Sequence, residues 1–227
     1  MTSTKIQAIK NALSAARMST YEAAIGTVAD NDLAALELYA WNAQVSGALL
    51  TPLHICEVVV RNAVSDVLKA TYGERWAWSP SFERSLPDPQ NGYSPRKDLQ
   101  NTRRNADTIG KLIPELKFVF WQKMFTSRHD DRLWGPRLKQ VLPNVCQTIS
   151  VKKIRQDIYN ELEAIRILRN RIAHHEPIFT RNLTSDFQII VNLVEFRCNI
   201  TSKWLVENQQ ALAIINDRPL IRGTKNY

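Results

Sequence analysis

Residues 158–179 read IYNELEAIRILRNRIAHHEPIF. From just upstream, Ile154, Ile158, Leu162, Ile165, Leu168 and Ile172 recur at helical spacing, so the stretch reads as one long helix with one buried face. Pro177 ends it, because the residue before a proline is pushed out of the α region. The last turns hold Arg166, Arg169, Asn170, Arg171, His174, His175 and Glu176, which is more polar chemistry than an ordinary helix end requires.

On a wheel of about 100° per residue, Arg169 falls between Ile165 and Ile172, inside the apolar stripe. A buried guanidinium must be paired or must face a site, since an unsatisfied buried charge is very costly. Asn170 lies one turn before His174 and Arg171 one turn before His175, so each pair can touch. Arginine offers fixed, fork-shaped donors to phosphate oxygens, and imidazole titrates near neutral pH. An arginine and a histidine beside one phosphodiester make a phosphoryl-transfer site that needs no metal. The structural alternative makes Arg169 a core ion-pair partner and the histidines a cap on the helix C-terminus, where the dipole favours a cation.

The hexapeptide Arg169-Asn170-Arg171-Ile172-Ala173-His174 resembles the Arg-polar-x-x-x-His motif of the HEPN superfamily. The wider RNRIAHHEPIF resembles the end of the motif helix in abortive-infection proteins of the AbiD/AbiF type. So do LYAWNAQVSGALLTPLHICEVVVRNAV at 38–64, FVFWQKMF at 118–125 and LWGPRL at 133–138, in the same order along the chain. The resemblance implies an all-α HEPN-type bundle and a metal-independent endoribonuclease without cofactor. A base takes the proton of the RNA 2′-hydroxyl, the oxygen attacks the adjacent phosphorus, and a 2′,3′-cyclic phosphate and a 5′-hydroxyl result. His174 would be the acid/base, Arg169 the clamp on developing charge, and Asn170 a positioning residue. On a straight helix His174 projects about 140° away from Arg169, which favours His175, whereas the family spacing favours His174. A helix that loosens before Pro177, or a residue supplied by a partner chain, would reconcile the two. The resemblance further implies a homodimer with a composite active site, for which an isologous interface is suited. A role in abortive infection or as a toxin follows, held in check by an antitoxin (a structured RNA or a protein) or by a closed conformation. The alternative from another class is a non-catalytic HEPN-like module that binds RNA or a partner protein.

The 227 residues are 44% hydrophobic and 23% charged, which suits one globular domain or two small ones with a real core, and a single domain is expected. Seven glycines are few for a protein of many tight turns, so composition leans helical. A net charge of +8 and a pI of about 9.5 favour a polyanionic partner, and RNA fits that sign. Cys56, Cys146 and Cys198 are odd in number, far apart and without a CxxC pair, and read as reduced, small buried residues of a cytoplasmic protein. No run approaches the roughly 18 apolar residues of a membrane helix. The Ser-rich, acid-poor first twenty residues, with Lys5, Lys10 and Arg17, read as a plain first helix rather than a transit peptide.

Short helices are expected over 4–17 and 20–28, within an N-terminal helical section of about 1–75. Asn31-Asp32 would cap a helix running towards Leu50; Thr51 and Pro52 would open another that exits at Gly73. In the latter, Glu57 and Arg61 have the favourable four-residue orientation of a helical ion pair. They read first as a structural pair and second as a brace for Arg169 from a neighbouring helix. Residues 79–95, with four prolines and a glycine, must be mainly loop, either functional or mobile. The basic helix that follows carries Arg96, Lys97, Arg103, Arg104 and Lys111, which read equally as a solvated face or, with Arg166 and Arg171, as candidates to track an RNA backbone. Trp121 and Phe125 read as core. RHDDR at 128–132 is no metal site, since neither HExxH nor a spaced Cys/His set is present. Ser185 to Gln188 suggests a capping box opening a long amphipathic helix through Leu205, so that the motif-bearing helices span about 150–208. Residues 216–227 are polar and expected to fray.

Overall fold

The computed structural model describes residues 1–26 and 33–219. The architecture is all-α, with no strand among the described residues. In chain order the helices are α1 Ser3–Leu13, α2 Ala15–Ile25, α3 Leu33–Tyr72, α4 Pro80–Ser85, α5 Pro95–Arg103, α6 Ile109–Glu115, α7 Phe118–Lys123, α8 Gly135–Val141, α9 Val151–Ala173, α10 Leu183–Arg197, α11 Asn199–Glu207 and α12 Ala211–Asn216. Short 3₁₀ turns at Trp76–Trp78 and Ser127–His129 and a π-helical turn at Asp130–Trp134 join them.

Two compact units make up the chain. One consists of Met1–Thr51, Arg171–Thr184 and Gln209–Tyr227; the larger consists of Pro52–Asn170 and Ser185–Asn208. Both α3 and α9 contribute to each unit, α3 dividing after Thr51 and α9 after Asn170.

The two helices expected to meet at Thr51-Pro52 are one, the 40-residue α3, with Pro52 in its interior. Proline's fixed φ fits a helix, but it leaves the Ala48 carbonyl without its helical donor. Burial on both sides offsets that loss, since Leu49 and Leu53 are both core residues. The helix then ends as expected at Gly73, in the left-handed region at φ 86°, whose N–H reaches the Lys69 carbonyl at 2.8 Å. Asn31 and Asp32 lie outside the described residues. α3 also corrects the hydropathy reading: an 18-residue window of mean hydropathy 1.4 makes it long and apolar enough to cross a membrane, by length and composition only. The core helix of a soluble protein passes the same test.

Residues 79–95 are less loop-like than expected. Ser79 caps α4 by accepting from the Phe82 N–H, and Phe82 and Leu86 are fully buried. The remainder is pinned: Ser94 Oγ donates to Asp88 at 2.7 Å, and Arg96 donates to the carbonyls of Glu83, Arg84 and Leu86. Prolines suppress long helices but not this packing. Downstream, Ser185 lies inside α10 rather than at its cap, and the long helix expected through Leu205 breaks at Cys198, which is extended at φ −158°. Cys56 is buried as expected, but Cys146 is exposed.

The larger unit has an aromatic core that includes Trp76, Phe82, Phe120, Trp121, Phe125 and Trp134. Phe125 and Trp134 stack with centroids 4.3 Å apart, and the Trp134 indole donates to the Met124 carbonyl at 2.7 Å. The core reading of Trp121 and Phe125 thus holds. His129, 2% exposed, sits against this core with Nε2 unpartnered. Burial, aided by Arg128 and Arg132, pushes its pKa down from 6.5 to about 4. The unfolded chain therefore takes up a proton near pH 6.5 that the folded chain refuses until about pH 4. Stability should be full above the first value and fall by about 3 kcal/mol on the way to the second. Thermal midpoints measured between those pH values should show this fall in the wild type and a flatter profile in His129→Phe. Parallel profiles would remove His129 as the cause.

Candidate active site at the end of α9

α9 starts where Ser150 Oγ accepts from the Lys153 N–H at 3.4 Å. Its buried stripe is the one read from sequence, Ile154, Ile158, Leu162, Ile165, Leu168 and Ile172. Polar contacts within the larger unit fix its register. Gln122 donates to Glu163 at 2.6 Å, Lys123 to the Tyr159 hydroxyl at 2.8 Å, and Arg155 to Asp130 at 2.8 Å.

Arg169 is not buried as the wheel predicts: its side chain is 45% exposed. The long stem lets the guanidinium leave the stripe edge for solvent. Nε lies 3.9 Å from Glu57 Oε2, and the other oxygen of that carboxylate accepts a hydrogen bond from Arg61. Glu57 is thus the partner of Arg61 and lies at the edge of ion-pair reach of Arg169 from the neighbouring helix. Beside it, Cys56 is buried, and burial with the nearby Glu57 and Glu161 carboxylates pushes its thiol pKa up. Glu161, on α9, escaped the sequence reading. Its carboxyl is pushed up to about 7 by burial and then by Asp157, and its Oε2 is buried without a partner. A lone glutamate one residue before a stripe leucine carries no sequence signal of that state.

The helix ends at Ala173, before the histidines rather than at Pro177. His175 N–H donates to the Ile172 carbonyl at 3.0 Å and Glu176 N–H to the Arg171 carbonyl at 2.8 Å. His175 itself is left-handed at φ 55°. This is a Schellman turn with histidine at the position that usually holds glycine. The straight-helix projection that favoured His175 over His174 therefore does not apply. In the smaller unit the turn is anchored from three sides. Arg17 of α2 donates to the His175 carbonyl, Arg171 donates to the Pro177 carbonyl at 3.3 Å, and the Ile178 N–H donates to Asn42 Oδ1 at 2.8 Å. Phe179 packs on Tyr21 with centroids 5.2 Å apart. Both imidazoles remain exposed. Because a left-handed L-residue costs roughly 1–2 kcal/mol, His175→Gly should raise stability by about 1 kcal/mol, read as a higher urea midpoint. A lower midpoint would show that the imidazole contributes to the fold.

The candidates divide between the units. Glu57, Arg61, Arg166, Arg169 and Asn170 belong to the larger; Arg171, His174 and His175 belong to the smaller. Most cations proposed for RNA already have partners. Arg166 is paired with Glu163 at 2.5 Å, and Arg171 lies 3.8 Å from Glu176. Arg103 is paired with Glu83 and donates to the Ala77 carbonyl at 3.0 Å, and Lys111 lies 3.0 Å from Asp107. The basic face around α5 is thus largely stitched to its own surroundings, whereas Arg104 is exposed. Asp130 of the RHDDR segment is held by Arg155, and among the described residues no group of three His, Cys, Asp or Glu is placed to hold a metal. Compared with protein-family models, with curated proteins and with solved structures, the chain returns no match.

Proposed function

We propose that the chain is a metal-independent endoribonuclease of HEPN type, acting in abortive infection or as a toxin. The observation that carries the reading is the helix end. The Arg-Asn-Arg-Ile-Ala-His run closes α9 in a Schellman turn, which leaves His174 and His175 exposed and free of helical direction. Arg169 reaches solvent while Glu57 limits its orientation. Exposed imidazole and an oriented guanidinium are the two groups that cleavage by a 2′-hydroxyl requires. His174 serves as acid/base and Arg169 stabilises charge on the phosphorane; Asn170 positions one of them. The reading carries with it a homodimer with a composite site, RNA as substrate, a cytoplasmic location, and an inhibitor that keeps the nuclease from its host.

A second reading, a non-catalytic module that binds RNA or a partner protein, is favoured by one specific observation. Glu57 is shared by Arg61 and Arg169, as a purely structural role for Arg169 expects. The discriminating experiment incubates the purified chain with total cellular RNA in EDTA, beside Arg169→Ala and His174→Ala, and maps the product ends. EDTA-resistant cutting that leaves cyclic phosphate and is lost in both folded variants supports the nuclease. Retained RNA binding without any cutting selects the module.

A further inference from the structure

We propose that Arg17 is a phosphate-binding residue of the histidine turn, holding the sugar–phosphate backbone of single-stranded RNA beside His174 and His175. The assignment takes RNA as the partner from the proposed function and adds a residue that no motif contains. Arg17 is 158 positions from His175 in sequence, yet its Nη1 donates to the His175 carbonyl, within the smaller unit. A carbonyl anchors a guanidinium without neutralising it. Among the described residues no carboxylate pairs with Arg17, so one N–H of five is used and the charge is not neutralised there. Arg171, the other cation of this turn, has Glu176 at 3.8 Å. Among the described residues Arg17 is therefore an unneutralised guanidinium at the turn, with Nε and Nη2 available as a fork for two phosphate oxygens.

The backbone supports the same assignment. Among the described residues, Ser14 at φ 75° and His175 at φ 55° are the non-glycine residues with positive φ, and they lie at the two ends of this one link. Ser14 Oγ caps α2 by accepting the Arg17 N–H at 3.3 Å, and His175 supplies the carbonyl that Arg17 grips. Strained backbone persists where the surroundings over-determine it, and it gathers at functional sites. Rigidity comes from Tyr21, one turn beyond Arg17 on α2, which packs on Phe179 and on Tyr39 with centroids 5.1 Å apart. The backbone that carries Arg17 is thus set by core packing one turn away, and the His175 carbonyl holds one end of its guanidinium.

A mere staple for the turn predicts a loss of stability alone; a phosphate contact predicts a loss of salt-dependent binding. The test titrates a short, uncleavable 2′-O-methyl RNA into the full chain and into Arg17→Gln and Arg17→Lys over a range of salt. Glutamine keeps a donor for the His175 carbonyl and removes the charge. Arg17→Gln should weaken binding about fivefold and flatten the slope of log affinity against log salt by about 0.7, one phosphate contact on a single strand. Arg17→Lys should keep most of the slope. A wild-type slope in folded Arg17→Gln overturns the proposal, as does a wild-type chain that leaves the oligonucleotide unbound. If Arg17→Gln fails to fold, Arg17→Lys decides through affinity, because lysine lacks the fork: unchanged binding overturns the assignment and a loss of twofold or more supports it. The probe has no free 2′-hydroxyl, so the outcome is independent of cleavage. A chain that binds through Arg17 but never cuts would sink the nuclease and leave this assignment standing.

Discussion

His174→Ala is expected to slow RNA cleavage by about 10²–10⁴-fold, the usual worth of a positioned general acid or base. Arg169→Ala should cost about 10²–10³-fold, as loss of one preorganised donor to developing negative charge does. Both side chains are exposed, so their removal should leave the melting temperature close to wild type; loss of activity cannot then be loss of fold. The double variant should be far from additive, little worse than His174→Ala alone, since residues acting as one unit fail together. Glu57→Gln should give a smaller defect, because the amide still braces Arg169 but no longer attracts it. Single-turnover cleavage of a defined RNA in EDTA measures all four. If His175→Ala abolishes cutting and His174→Ala does not, the acid/base is His175, and the helical projection had selected the right residue for a reason the Schellman turn does not supply. If Arg169→Ala cuts at the wild-type rate, the Glu57 contact is structural and the chemistry lies elsewhere.

The all-α class and the buried face of α9 were legible because both rest on local period. Six stripe residues from Ile154 to Ile172 are all buried. What was not legible depended on partners distant in the chain. Pro52 reads locally as a helix start, yet core residues on both sides hold α3 through it. The prolines of 79–95 read as loop, yet Arg96 collects three carbonyls there and Phe82 enters the core. Arg169 was placed correctly on its face but at the wrong depth, since a wheel locates Cα and not the end of a four-atom stem. The histidine turn was foreseen only as a loosening before Pro177. Its actual form, a left-handed histidine gripped by Arg17, needs tertiary contacts from α2 to exist. Arg17 itself read as one more cation of a plain first helix, because nothing within its neighbours in sequence marks a residue whose partner is 158 positions away.

Arg155→Ala is expected to destabilise the larger unit by about 3–5 kcal/mol, the cost of removing one member of a buried ion pair. Arg155 is 7% and Asp130 13% exposed at the side chain. The guanidinium meets both carboxylate oxygens, at 2.8 and 3.4 Å, and a further N–H donates to the Phe125 carbonyl at 3.2 Å. Truncation therefore strands a carboxylate and a backbone acceptor together, neither with ready access to water. Asp130→Ala should also be costly, whereas the double variant should recover part of the loss, because no lone charge then remains buried. Arg155→Met, which fills the space without a charge, should fall short of wild type when Asp130 is intact and approach it when Asp130 is alanine. Urea unfolding followed by tryptophan fluorescence reads this unit, since Trp76, Trp121 and Trp134 are buried in it. A loss below about 1 kcal/mol in Arg155→Ala, the range of an exposed pair, would mean that water reaches Asp130. Because Arg155 lies on the same helix as Arg169, the variant also asks whether α9 keeps its register without this anchor. A helix that slips should lose cleavage before it loses fold, whereas one held by its six apolar residues should keep cutting until the larger unit melts.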